Sequence, residues 1–211
     1  ELHMLGGSGD ERYAAVLPWF GAQLAVIESR ATPNWLELRL RKLIENNRSL
    51  DAAQIAAVSP QDRNLWGLIE RIGEPLRSEY WRKVPVIHGE HSQEEWAQAI
   101  NSLLDAGREA MAVEAAGLAK DLLSGDLALK VLERFRVYLK SNSFIVREER
   151  GNLRASMAKH GIEKLFQALD RDATIDAGKV LSLEIAFLPI LKESRRSVKR
   201  LSDAIDKQPD L

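Results

Sequence analysis

The chain has 211 residues, a formal net charge of −1 and no cysteine. These values exclude disulfides, cysteine-ligated zinc and a thiol nucleophile, and they give no overall attraction to nucleic acid or to acidic membranes. Hydrophobic residues at 45% and charged residues at 29% are typical of a soluble globular protein. The longest mostly apolar stretch, residues 14–27, is shorter than the roughly 20 residues needed to cross a bilayer. We therefore expect a cytoplasmic protein without a membrane partner.

The first nine residues, ELHMLGGSG, do not look like part of a folded domain. Met4 follows Glu-Leu-His and precedes a Gly-Gly-Ser-Gly run, an arrangement typical of residues added during cloning. We expect residues 1–9 to be such an addition and the rest to be a fragment of a longer protein.

Several helices are predicted before residue 92. Asp10 can cap the first, with Pro18 inside it as a kink or a late start. Thr32-Pro33 predicts a second helix that ends at Asn46-Asn47, and residues 49–58 form a short third. Ser59-Pro60 repeats the Thr-Pro signal for a helix to Gly73. Pro75 begins another short helix that Pro85 ends, and residues 86–91 are predicted as loop.

Residues 92–123 predict a pair of helices joined at Gly107. Ser92 and Glu95 have the spacing of a capping box, and apolar residues then recur at helical spacing as far as Leu104. Gly107 can adopt the left-handed conformation that ends a helix. The second helix is rich in small residues, which allow a neighbouring helix to come close.

Four further helices are predicted after this pair. One begins at Asp126, and the polar segment 141–152 that follows it is the best break between subdomains. The next spans residues 153–169, with Gly161 as an interruption. The last two span residues 175–191 and 197–205.

About ten short helices without an alternating strand pattern predict an all-α fold. Short connections and paired helices favour an irregular, solenoid-like helical-repeat array over a four-helix bundle. We expect a helical-repeat region at residues 10–140 and a C-terminal helical subdomain of the same array at residues 153–211. Trp66, Trp81 and Trp96 are spaced by fifteen, which leaves open whether the repeats are truly periodic.

Three phrases resemble a known type of sequence: EYWRKVP at residues 79–85, LLDAGREAMAVEAAG at 103–117, and LSLEIAFLPIL at 181–191 with AIDKQPDL at 204–211. They look like the degenerate tetratricopeptide-like or HEAT-like helical-repeat regions of large multidomain bacterial proteins. Such proteins often carry an ATPase or another effector domain, and some are linked to defence against phage. Ile185 stands where that pattern usually has an aromatic residue. The resemblance implies a packing architecture more than an activity.

Two loops contain residue types that bind metal ions. His88, Glu90 and His91 bring two imidazoles and a carboxylate within four residues, but no zinc-protease spacing accompanies them, so a solvated loop is favoured. Residues 170–181 resemble a calcium loop, yet Ile175 and Leu181 replace its glycine and its glutamate. We expect a helix end there, with Asp172 or Thr174 capping the next helix. The sequence predicts no metal and no cofactor.

Glu184 lies among apolar residues of the predicted helix 175–191. A buried carboxylate can act as an acid of raised pKa, although pairing with an arginine or capping of a neighbouring helix is more common. No second carboxylate is spaced to form an acid–base pair with it. We therefore expect a structural role for Glu184 and no enzymatic activity.

A basic stripe, defined as Lys192, Arg195, Arg196, Lys199 and Arg200, recurs at intervals of one, three and four residues and shares one face if this whole segment is helical. Such a stripe can bind phosphates, but a solvated face is the commoner explanation, and no aromatic residue is interleaved to stack on bases.

The sequence thus predicts a non-enzymatic module that binds another protein or other domains of its parent chain. Nucleic-acid binding through the basic stripe is the alternative. Any of the five tryptophans left exposed would serve as an anchor at a protein interface.

Overall fold

The computed structural model of the chain describes residues 34–85, 87, 89–119, 121–141, 152–191 and 199–207. Within these residues the backbone forms ten α-helices and no strand, which confirms the predicted all-α class. The chain divides into two compact units, Glu1–Gly89 and Glu90–Leu211. The sequence placed its division at residues 141–152 instead. The helices on either side of that segment contact each other within the second unit.

The first unit contains four described helices: α1 (Trp35–Glu45), α2 (Ser49–Val58), α3 (Arg63–Ile72) and α4 (Leu76–Lys83). Its core includes an aromatic cluster contributed by α3 and α4. Trp66 Nε1 donates a 3.0 Å hydrogen bond to Tyr80 Oη, and the Trp81 ring lies 5.9 Å from that of Trp66. The two polar atoms of this bond satisfy each other away from water, which avoids the penalty of burying them unpaired.

The second unit contains six described helices: α5 (Gln93–Asp105), α6 (Glu109–Leu118), α7 (Gly125–Ser141), α8 (Asn152–Arg171), α9 (Ala177–Leu191) and α10 (Lys199–Lys207). Its core is formed by inward faces of α5 to α9. Phe187 lies between Phe135 and Phe166, at ring distances of 6.2 and 6.0 Å. All three rings are buried, so one aromatic cluster joins α7, α8 and α9.

Two helical hairpins of the chain share the same turn, 60 residues apart. Asn47 ends α1 and Gly107 ends α5, both with a left-handed backbone at φ of 58° and 70°. The hydrogen bonds of the two turns also match. In each turn, the amide two residues after the helix donates to the carbonyl three residues back, and the next amide donates to the carbonyl five residues back. The predicted left-handed conformation of Gly107 is confirmed. Buried positions match as well: Leu40, Leu43, Ala52, Ala53 and Ala56 correspond to Ile100, Leu103, Ala112, Val113 and Ala116.

Helices α6 and α8 approach each other at glycine. A Cβ atom built on Gly117 would lie 3.2 Å from Gly161 Cα, and one built on Gly161 would overlap the carbonyl oxygen of Val113. Gly161 lies within the continuous helix α8, so the predicted interruption at this residue is wrong. Its missing side chain permits a close helix crossing.

The capping box of α5 is confirmed, since Ser92 Oγ accepts from Glu95 N and Glu95 Oε2 accepts from Ser92 N. The Ser59-Pro60 start is wrong. α3 begins at Arg63 because Asp62 accepts from Leu65 N at 2.9 Å, whereas Ser59 Oγ donates back to Ile55 O at the end of α2.

The predicted cap of α9 is also wrong. The side chain of Asp176 accepts from Lys179 N at 2.8 Å, so the residue directly before the helix caps it. Asp172 instead accepts from Thr174 N and from Thr174 Oγ1, which closes the turn after α8. The predicted helix from Asp10, the Thr32-Pro33 start and most of the polar segment 141–152 lie outside the described residues.

Candidate interaction surfaces

The basic stripe is described only at its C-terminal end. Lys192, Arg195 and Arg196 lie outside the described residues, and Lys199 is the first residue of α10. Arg200 Nη1 lies 3.4 Å from Asp170 Oδ1, near the end of α8. The one stripe residue whose side chain is described is therefore paired within the second unit. The proposed role of the stripe in partner binding stays a prediction.

Glu184 caps α10. Its side chain is fully buried in α9, and its Oε2 accepts a 2.9 Å hydrogen bond from the amide of Leu201. Leu201 is the third residue of α10, and amides in the first turn of a helix have no acceptor within that helix. The carboxylate also faces the positive end of the helix dipole. The structural role expected for Glu184, capping of a neighbouring helix, is confirmed.

Helix α9 presents an apolar line to solvent beside its buried face. Val180, Leu183, Phe187 and Leu191 are buried. Leu181, Ile185 and Leu188 are spaced by four and three residues, so they lie on one side of the helix. Leu181 is half-buried, while Ile185 is 54% exposed and Leu188 is 36% exposed. We call these three residues the α9 apolar line.

The spacing of the α9 apolar line is present in the sequence, but it does not distinguish these three residues from the other apolar residues of the helix. α9 is apolar almost all round, which is typical of a fully buried helix. Only the neighbours of α9 determine which apolar side remains open, and periodicity carries no information on them. Ile185 departs from the aromatic residue of the helical-repeat pattern, and the sequence does not indicate that this position faces solvent.

None of the four tryptophans that the structure describes is an exposed anchor of the kind expected at a protein interface. Trp66, Trp81 and Trp96 are each at most 3% exposed, and Trp35 is half-buried. Trp19 lies outside the described residues. The described tryptophans therefore contribute to cores and helix packing, and the large apolar side chains open to solvent are aliphatic.

The loop considered for metal binding is only partly described. His88 lies outside the described residues, Glu90 is exposed, and the His91 ring packs edge-on against Trp96 at 5.0 Å. Among the residues the structure describes, no group of three or more histidine or acidic side chains could hold a metal ion.

Two titratable groups of the described ranges, Tyr80 and Asp172, have shifted pKa values with structural causes. Burial raises the pKa of the Tyr80 phenol to about 12, in the aromatic cluster of the first unit. Hydrogen bonds from Thr174 hold the pKa of Asp172 below its ordinary value. Burial therefore accounts for the raised pKa of Tyr80, which its hydrogen bond with Trp66 opposes, and Thr174 accounts for the lowered pKa of Asp172.

Comparison of the chain with protein-family models, with curated proteins and with solved structures finds no match. Within the described helices, none combines the length and apolar character needed to cross a membrane.

Proposed function

We propose that the chain is a non-enzymatic helical-repeat module that binds another protein, or another domain of its own parent protein. The matching hairpins α1–α2 and α5–α6 support the helical-repeat part of this proposal. They share a left-handed turn residue, the hydrogen bonds around it and five buried positions, at a constant offset of 60 residues. Repeat proteins reuse one helical unit in this way and offer an extended surface to partners.

The α9 apolar line is the observation that carries the binding function. Single exposed apolar residues are ordinary on protein surfaces and need no explanation. Here Ile185 and Leu188 are one turn apart on the same side of one helix, next to the half-buried Leu181. Apolar residues at this spacing are the pattern by which a helix contacts an apolar groove or a second helix.

The resemblance of three phrases to helical-repeat regions of large bacterial proteins is consistent with this proposal. On that reading the partner is a protein or an attached effector domain in the cytoplasm. The described part of the basic stripe does not favour the nucleic-acid alternative, because Arg200 is paired with Asp170.

The proposal is tested with a double variant, Ile185→Glu with Leu188→Glu, in the full-length parent protein. The matched control is Leu38→Glu with Val58→Glu, which places the same charges at exposed apolar positions of the first unit. The partner is cross-linked to the parent protein, identified and purified. The dissociation constant of its complex with the parent protein and with each variant is then measured by calorimetry.

We expect the α9 double variant to weaken binding at least about tenfold, since charges buried at an apolar contact cost more than about 1.4 kcal/mol. The control should bind like the parent, and both variants should keep the helical circular dichroism spectrum. Equal binding by all three proteins would show that the α9 apolar line is not the contact surface.

A further inference from the structure

Helix α10 is held to the second unit with little help from apolar burial. Among its described side chains, residues 200–206, none is buried. Leu201 and Ala204 are half-buried, and Ile205 is 59% exposed. Because hydrophobic stabilisation scales with the apolar area removed from water, these side chains provide only part of what a core helix obtains.

Helix α10 is also too short to be stable by itself. The helix spans nine residues, and isolated helices shorter than about 12–15 residues are marginal in water because the first turn is costly to form. The helical state of α10 therefore depends on what the helix docks against.

Two acidic residues of the second unit bind the first turn of α10. The fully buried Glu184 carboxylate accepts from Leu201 N at 2.9 Å. The Asp170 carboxylate accepts from Arg200 at 3.4 Å, with both side chains partly exposed. A buried hydrogen bond to a charged acceptor stabilises much more than a partly exposed ion pair, so Glu184 is the stronger contact.

We infer that α10 is a conditional helix, which folds only when docked, and that the Glu184 carboxylate is the contact on which docking depends. The second unit then has two states. In one state α10 is folded against α9, and in the other α10 is released and unfolded while helices α5 to α9 remain folded. Release parts Arg200 from Asp170 and returns this cation of the basic stripe to solvent. The inference depends only on contacts within the second unit and is independent of the proposed function.

Hydrogen exchange followed by mass spectrometry, in the full chain, tests whether α10 unfolds independently of helices α5 to α9. A peptide covering residues 199–207 reports on α10, and a peptide covering the buried positions Val131, Leu132 and Phe135 of α7 reports on the body of the unit. The variants are Glu184→Leu, which removes the acceptor; Glu184→Gln, which keeps an uncharged acceptor of the same size; and Asp170→Asn, which weakens the exposed pair.

In Glu184→Leu the α10 amides should exchange at least about tenfold faster than in the parent, while the α7 amides keep the parental rate. Glu184→Gln should show a smaller acceleration confined to α10, and Asp170→Asn should change exchange by less than about threefold. If Glu184→Leu does not fold, the Glu184→Gln result decides in the same way.

Three results would overturn the inference. Unchanged α10 exchange in Glu184→Leu would show that docking does not depend on the carboxylate. A parallel acceleration of α10 and α7 would show that α10 unfolds only with the whole unit. A larger effect from Asp170→Asn than from Glu184→Leu would make the exposed ion pair the deciding contact.

Discussion

Gly161 shows how one residue can determine the distance between two helices. Its backbone lies directly against Val113, and a Cβ atom at this position would overlap the Val113 carbonyl oxygen. A backbone carbonyl cannot move aside as the end of a flexible side chain can. The absence of a side chain at Gly161 is therefore a packing requirement of the α6–α8 crossing.

We expect Gly161→Ala to lower the free energy of unfolding by about 1–3 kcal/mol, the usual cost of overpacking a core. The matched control is Gly67→Ala in α3, where a Cβ would lie 3.7 Å from the Arg71 guanidinium, an ordinary contact with the end of a flexible side chain. That change should be neutral or stabilising by up to about 1 kcal/mol, because alanine favours helix. Urea unfolding at 25 °C measures both variants, and equal stabilities would refute the close crossing.

Tyr80 couples the stability of the first unit to alkaline pH. Burial raises the pKa of its phenol from 10.0 to about 12 in the folded state. The unfolded chain therefore loses this proton first, so the stabilising contribution is complete below pH 10 and is lost as the pH rises toward 12. At pH 11 the loss should be about 1.4 kcal/mol, by the relation between pKa shift and free energy.

Urea unfolding of the parent and of Tyr80→Phe at pH 8, 10 and 11 tests this coupling. At pH 8 the variant should be less stable by about 1 kcal/mol or more, because the hydroxyl that accepts from Trp66 is gone. At pH 11 the difference in unfolding free energy between the two proteins should be about 1.4 kcal/mol smaller, because only the parent has a phenol whose ionisation favours the unfolded state. A constant difference across this range would exclude a raised phenol pKa.

At the scale of elements, the two matching hairpins depend on a left-handed residue at each turn. No atom of the described residues lies within 4 Å of a Cβ atom built on Gly107, so a substitution there contacts none of them. The free-energy cost of such a substitution therefore comes from holding the new residue in the left-handed conformation. The equivalent position in the first hairpin is Asn47, a residue type that tolerates the left-handed region.

Gly107→Val should therefore cost at least about 1 kcal/mol, since a β-branched side chain strongly disfavours this conformation. Gly107→Asn, which imitates the first hairpin, should cost clearly less. Thermal unfolding compares the two variants with the parent. A valine variant that melts at the parental temperature would show that the turn tolerates another conformation.

The basic stripe is the element whose function is least constrained by the described structure. If it is a solvated face, Arg195→Glu with Arg196→Glu should leave the melting temperature and partner binding nearly unchanged, because exposed charges contribute little. Calorimetric binding at low salt measures this. Loss of binding with an intact fold would instead favour an acidic or phosphate-bearing partner.

At the scale of the whole molecule, local signals in the sequence predicted most of the helices and missed several of their contacts. The capping box at Ser92 and the glycine at 107 act within a few residues, so the sequence is sufficient to identify them. The start of α3 was misplaced because Asp62 and Ser59 are both good caps, and the choice between them depends on which amide each one reaches. Similarly, the sequence alone suggests that Gly161 interrupts its helix, whereas the contact with Val113 of α6 is the reason that a glycine is needed there.

The candidate surface was harder to predict than the fold. Glu184 could be assigned a structural role from its apolar surroundings, but its partner, the amide of Leu201, is 17 residues away and carries no side-chain signal. The α9 apolar line is one side of a helix that is apolar nearly all round. Its exposure depends on tertiary packing, which the spacing of residues in α9 does not encode.

We propose that the chain binds a protein through apolar contact, and the salt dependence of binding distinguishes this from contact with phosphates. The dissociation constant of the purified partner is measured at about 50 and 200 mM salt, for the parent protein and for Ile185→Glu with Leu188→Glu. We predict a change of less than about threefold with salt for the parent and much weaker binding by the variant at both concentrations. A loss of affinity of roughly a thousandfold with salt, as several phosphate contacts produce, together with unchanged binding by the variant, would show that apolar contact is not the basis of binding.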